Sequence, residues 1–176
     1  MRNIEIKAKV RNLADLLQKV KSLSDTSCEE ISQHDTFYNV SQGRLKLRKF
    51  KDTSSELIFY ERDDKEGPKL SSYEKVSLSP NATDQLDAVL TRALGCTGVV
   101  KKRRQLFMVD QTRIHIDSVQ DLGDFIELEV TLKPNEEPED GIQIAHSLMN
   151  KLGVDKNDLI AGAYRDLLEN SRQQDI

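Results

Sequence analysis

Two carboxylates, Glu127 and Glu129, are separated by one residue in the run Phe125-Ile126-Glu127-Leu128-Glu129-Val130-Thr131-Leu132. If that run is a β-strand, alternation puts both acids on one face and Ile126, Leu128, Val130 and Leu132 on the other. Same-face neighbours on a strand lie roughly 7 Å apart, so the pair presents oxygens along one wall. The start of the chain reads the same way, with Asn3, Glu5, Lys7 and Lys9 opposite Ile4, Ile6, Ala8 and Val10. Hard oxygen ligands of this kind suit Mg²⁺ or Mn²⁺, which keep several waters and share phosphate oxygens with a substrate. Basic residues recur at the same spacing: Lys46 and Arg48 against Leu45 and Leu47, Lys102 and Arg104 within Val99 to Val109, and Arg113 with His115 and Asp117 against Ile114 and Ile116. Guanidiniums so placed grip phosphate bidentately, and with a divalent cation they would stabilise a phosphoryl-transfer transition state.

These side chains need elements that hold them in register. The spacing predicts a strand at Arg2 to Val10, then a helix capped by Asn12 with Leu13, Leu16, Leu17 and Val20 on one face. Strands follow at Gln33 to Asn39, in GRLKLRKF, in SSELIFYERDD and in YEKVSL, with the turn-rich DDKEGPK between the last two. A second helix follows Pro80 and ends at Gly95, three antiparallel strands make a meander, and a third helix runs from about Asp140 to Leu152. DLIAGAYRDLL is expected to be a closing helical segment, and ENSRQQDI a polar tail.

For any single strand the ordinary reading of a charged face is that it meets water. Taken together the strands point elsewhere. Three helices with apolar stripes need surfaces to pack on, and the aliphatic strand faces supply them on the outside of a closed sheet. The charged faces then line an interior, where the acidic set (Glu5, Asp117, Glu127, Glu129) and the basic set (Lys7, Lys46, Arg48, Lys102, Arg104, Arg113) compensate one another, since isolated buried ions cost many kcal/mol. Such a cavity attracts a polyanion and its metal.

The bulk properties narrow the class. The chain's 176 residues fit one domain, read as 1–170 with a polar tail at 171–176. Its 26 basic and 30 acidic residues nearly balance, which argues against a general nucleic-acid or acidic-membrane binder. Cys28 and Cys96 lack metal-type spacing, no signal-peptide core follows the start, and no apolar run approaches membrane length, so a cytoplasmic protein is expected. His34, His115 and His146 lack zinc spacing and read as surface or strand residues. In Lys101-Lys102-Arg103-Arg104, alternation sends Lys102 and Arg104 inward and Lys101 and Arg103 outward. Neither a P-loop nor a G-x-S-x-G elbow is present.

Asn3-Ile4-Glu5-Ile6-Lys7 resembles the E-x-E-x-K signature of the CYTH superfamily, the triphosphate tunnel metalloenzymes, with Asn3 in place of the first Glu. Leu45-Lys46-Leu47-Arg48 is similar to the family's L-R-x-R strand, Lys102-x-Arg104 to its later basic pair, Arg113 to Asp117 to the strand after it, and Gly123 to Glu129 to its paired-Glu strand. The resemblance spans Arg2 to about Leu168 and implies an α+β fold: a closed eight-stranded antiparallel β-barrel enclosing a tunnel, with helices packed outside. It implies Glu5, Glu127 and Glu129 as metal ligands, with Asp117 a ligand or the partner of one. Lys7, Lys46, Arg48, Lys102, Arg104 and Arg113 would hold phosphates, with Lys75 and Lys69 as further candidates. Glu5, Lys7, Glu127 and Glu129 would carry the catalysis. Where many members place a basic residue after the L-R-x-R strand, this chain has Tyr60-Glu61-Arg62, and no residue is assigned there.

The expected activity is Mg²⁺- or Mn²⁺-dependent hydrolysis of a triphosphate, inorganic tripolyphosphate first, with the cation positioning the attacking water. The alternatives are a class IV adenylyl cyclase forming cyclic AMP from ATP, and a non-catalytic polyphosphate-binding module. Hydrolysis is preferred because few aromatics leave no adenine pocket legible, and the absence of Trp removes a stacking partner for thiamine triphosphate. The partner is then a small-molecule triphosphate rather than nucleic acid or membrane, bound by a monomer or homodimer.

Overall fold

Strand alternation governs the architecture. The computed structural model describes residues 1–52 and 54–174. Its strands are β1 (Arg2–Lys9), β2 (Glu29–Tyr38), β3 (Arg44–Phe50), β4 (Ser55–Arg62), β5 (Lys69–Leu78), β6 (Cys96–Val109), β7 (Thr112–Val119) and β8 (Gly123–Thr131). They close into one antiparallel barrel in the order β1-β5-β4-β3-β2-β6-β7-β8, with β8 pairing back onto β1. Closure leaves no edge to protect and gives every strand an inner and an outer face.

The aliphatic face is the outer one along β1, β7 and β8. Ile4, Ile6, Ile114, Ile116, Ile126, Leu128 and Val130 are buried beneath α1 (Leu13–Leu23) and α3 (Pro138–Leu152), which contribute Leu16, Val20, Ala145, Leu148, Met149 and Leu152 to the same core. Gly141 permits the close approach of α3: a Cβ there would meet Ile4 Cγ1 at 2.6 Å and Leu132 Cδ2 at 2.7 Å. The cladding is incomplete elsewhere. α2 (Pro80–Leu94) buries only Thr83, and Phe59 on β4 and Val76 on β5 remain exposed.

Asn12 caps α1 through the Asp15 amide, and Gly95 ends α2 with φ of 81°, both as the sequence reading expects. α3 starts two residues earlier than expected, because Glu137 and Asp140 form a reciprocal capping box around Pro138. The closing segment departs further. Only a 3₁₀ turn (Lys156–Asp158) precedes an extended stretch that lies on β1, where Leu159 bridges Ala8 and the Ile160 amide bonds to the Lys7 carbonyl. Helix α4 (Tyr164–Gln174) begins only after Gly162, and it continues into the residues read as tail; 175–176 lie outside the described residues. The local pattern does not carry this pairing, since backbone groups of β1 more than 150 positions away satisfy the segment.

Lys69 shows how the segment leading into α4 is fastened. Its ammonium is buried and donates to the carbonyls of Lys65, Ile160 and Ala161 at 2.7, 3.1 and 3.1 Å. That ties the β4–β5 loop to the run before α4, and burial followed by the charges of Arg62 and Lys7 brings this lysine down to about 8.

Candidate active site in the barrel lumen

The inward faces enclose a cavity of about 320 Å³, lined by eight Lys and Arg side chains against five carboxylates. One end is stoppered by α4: Tyr164 packs on Phe125 with ring centroids 5.0 Å apart and sits in a small core with Phe37, Val100, Val119 and Leu168. Lys75 and Arg113 are the more exposed lining cations, at 41% and 33%, and mark the open side.

Two clamps of one design form the basic wall. On β3, Arg48 faces Asp35 of β2 in register and donates Nε and Nη2 to its two oxygens, both at 2.7 Å, while Lys46 adds a third contact at 3.1 Å. On β6, Arg104 faces Asp117 of β7 and donates Nε and Nη2 at 2.7 and 2.6 Å, with Lys102 at 3.2 Å. Each Lys-x-Arg pair is thus locked by an Asp on the adjoining strand, and the remaining Nη1 is the nitrogen left for a ligand. Burial alone would raise both aspartates, but Arg48 and Lys46 in one clamp and Arg104 and Lys102 in the other hold them far below the ordinary carboxylate range. Burial, and then Arg48, lower Lys46 to about 7 despite Asp35.

The acidic wall adjoins the second clamp, on β7, β8 and β1. Glu5 stands directly opposite Glu129, and Lys7 opposite Glu127. Like charges directly opposed across strands destabilise, and each acid here has a cation. Glu5 accepts from Arg62 at 2.7 Å and Glu129 from Arg113 at 3.0 Å, while Glu127 sits 3.2 Å from Lys7 and 2.6 Å from Arg104. Burial works to raise Glu127 and Glu129; the cations around them, Lys7 and Arg104 foremost for Glu127, outweigh it and keep both low. His115, Glu127 and Glu129 each offer a ligand atom within 4.8 Å of the others. The Nδ1 of His115 is buried without a hydrogen-bond partner. A convergent imidazole and two carboxylates with one orphaned nitrogen fit a divalent cation that accepts oxygen and nitrogen, Mn²⁺ or Mg²⁺ among them.

The residues named from sequence fall into three groups. Glu5, Lys7, Lys46, Arg48, Lys75, Lys102, Arg104, Arg113, Glu127 and Glu129 all line the cavity. Asp117 is fully buried behind its cations and the Tyr164 hydroxyl, which donates to it at 3.0 Å, so it faces Arg104 rather than the lumen. Lys69 is spent on backbone carbonyls. Three further contributors escape the sequence reading. Asp35, paired across strands with Arg48, has a findable signal in its parity within SQHDTFY. His115 has the inward parity, and the lack of zinc spacing conceals its role. Arg62 reaches the lumen with Nε and Nη2 buried and unbonded, its nearest further carboxylate, Asp64, 4.0 Å away. Tyr164, which the sequence allows to reach the tunnel mouth from the closing segment, does so: its ring lies 3.9 Å from the Lys7 ammonium and 5.0 Å from that of Lys102.

A closed barrel whose bore carries two arginine clamps, one of them touching a His-Glu-Glu cluster, is built to bind a polyanion together with a divalent metal. The CYTH domain profile matches residues 1–164, and the chain belongs to the CYTH family, an enzyme family that acts on small triphosphate substrates and is metal-dependent in general. The chain is similar to the PH1012 protein of Pyrococcus horikoshii, with 26% identity over 94% of this chain and 98% of that one and a TM-score of 0.75. A Methanocaldococcus jannaschii protein provisionally named an adenylate cyclase is 22% identical over 95% of this chain and 98% of its own. The Hippeastrum protein HpAC1 shares the fold at TM-score 0.65 and 15% identity, over 92% of this chain and 91% of that one. Among the described residues no helix is long and apolar enough to cross a membrane.

Proposed function

We propose that this protein hydrolyses a triphosphate compound, with inorganic tripolyphosphate the first candidate. The observation that carries the reading is the excess of cations over carboxylates in one small bore, arranged as two preset arginine clamps, one of them touching the His115, Glu127 and Glu129 cluster. The clamps are held before any ligand arrives, so little reorganisation accompanies binding. Arg48, Arg104 and Arg62 would grip phosphate oxygens, Lys46 and Lys102 would neutralise charge between them, and Lys7 would hold the end nearest Tyr164. Tyr164 closes that end to bulk water. A divalent cation on His115, Glu127 and Glu129, with Glu5 opposite, would polarise the attacked phosphorus and lower the pKa of its water. The structurally similar HpAC1, a provisional adenylyl cyclase, is described as having a dominant triphosphatase activity, which supports hydrolysis over cyclisation.

A second reading rests on Ile31, Phe50, Ile58 and Tyr73, which add apolar and aromatic surface to the lumen. Tripolyphosphate has no use for such a surface, and a nucleoside does, so ATP cyclisation is the alternative. The test is purified protein with tripolyphosphate, ATP and thiamine triphosphate, each with Mg²⁺ or Mn²⁺, scoring phosphate and cyclic AMP. Phosphate from tripolyphosphate at the highest kcat/KM is expected. Cyclic AMP in excess of phosphate would put the cyclase first, and tight binding without turnover would leave a binding module.

Lys46 makes ligand binding pH-dependent. Its ammonium sits at about 7 in the free lumen, and a bound polyanion beside it raises that value. Above pH 7 the free protein has lost the proton that the complex holds, so binding takes one up and affinity falls as pH rises, by at most about tenfold per unit. Below 7 the lysine contributes no slope. Calorimetry of tripolyphosphate binding without metal at pH 8, in two buffers of different ionisation enthalpy, should show proton uptake that K46M reduces, the rest falling to Lys102, which burial and Arg104 also lower.

A further inference from the structure

The outer face of the barrel wall carries a second concavity that the lumen chemistry does not use. It is a groove of about 640 Å³ running across β3, β2, β6 and β7; Lys49, Lys51, Lys101 and Arg103 are its outward cations, and Lys102 also lines it while its ammonium turns inward to Asp117. Among the described residues no carboxylate lines it, in a chain with four more acidic than basic residues. Lys49 is held by Asp84 and Asp87 of α2 at 3.0 and 2.9 Å. Lys51, Lys101 and Arg103 have no ion-pair partner among the described residues. Glu30, Asp52, Asp121 and Asp124 lie near in sequence, and Asp124 is engaged by the Ser118 hydroxyl.

Register concentrates the charge. His34 is paired with Lys49 on one side and Lys101 on the other, and Arg103 lies between Ser32 and Ser118. Cationic side chains flanking one another across strands repel, and half-buried His34 is pushed below its ordinary range, first by burial and then by Lys101 and Lys49. A polyanion seated in the groove would offset that repulsion. Directly opposed residues are about 5 Å apart, and same-face neighbours such as Lys101 and Arg103 about 7 Å, so the footprint spans more than one phosphate group. The Arg103 fork and the Ser32 hydroxyl add directional donors suited to phosphate oxygens.

We propose that this groove is a second anion site, outside the barrel, that binds a small ligand carrying two or more phosphate groups. It does not depend on what the lumen turns over. The test uses tripolyphosphate as probe, in EDTA and 0.15 M NaCl, by calorimetry on the whole chain. Wild type is expected to bind one more tripolyphosphate than K101E/R103E does, and K101Q/R103Q, which spares the strands a reversed charge, should weaken that extra site at least tenfold. Equal stoichiometry and affinity in wild type and both variants would overturn the proposal, as would an extra site seen only at low salt, the behaviour of a screened surface cluster.

Discussion

Glu127→Gln and Glu129→Gln should each lower triphosphate turnover by about 10³-fold, the scale on which removing one preorganised electrostatic contact slows a reaction. Both changes keep the size and hydrogen-bonding reach of the side chain while removing its charge. The lumen already carries a cation surplus, so the loss of one carboxylate makes it more attractive to a polyanion. Affinity for tripolyphosphate without metal should therefore hold or rise, while metal affinity and kcat collapse. Turnover assays beside metal-free calorimetry separate the two effects. Full turnover in both variants would remove Glu127 and Glu129 from the metal site. His115→Ala, which removes the third member of the cluster, is expected to lie between wild type and these variants.

Asp117→Ala should cost about 3–5 kcal/mol of stability, because it strands Lys102 in the barrel wall and takes from Arg104 its bidentate partner, leaving it Glu127 alone. For a chain of this length each kcal/mol moves Tm by about 2–4 °C, so a fall near 10 °C is expected by calorimetry. The carboxylate is buried under Tyr164 and both cations, which makes it the anchor that aims Arg104. An unchanged Tm with loss of metal affinity would instead make Asp117 a ligand, the other role its sequence position implied. Asp117 also depends on pH in a definite sense: its pKa is depressed on folding, so its stabilisation is complete above the unfolded carboxylate range and is lost as acid protonates it.

The clamps show how far reading along the chain can reach. Lys46 with Arg48, Lys102 with Arg104, and Glu127 with Glu129 are legible because spacing of two on a strand determines a shared face whatever the tertiary fold. Asp35 and Arg62 obey the same rule, yet each is hidden: Asp35 lacks an acidic or basic partner at that spacing, and Arg62 ends a strand whose parity the neighbouring Glu61 obscures. Lys69 has the right chemistry and a different destination, because its role is set by the carbonyls of Ile160 and Ala161, which only chain closure brings near.

By itself the order of residues determined which side chains share a face, that the charged faces must look inward once helices claim the aliphatic ones, and that acids and bases would be interleaved there. Those consequences follow from local stereochemistry and from the cost of burying unpaired charge. Which charges meet was decided by the strand order and register of the closed barrel, which puts β8 beside β1 across more than a hundred residues and His115 beside Glu127 and Glu129. The sealing of one end by Tyr164 is likewise tertiary, since it requires the extended run on β1 to deliver α4 to the mouth. Long-range pairing of this kind is a global optimum over all strands, and no window of sequence contains it.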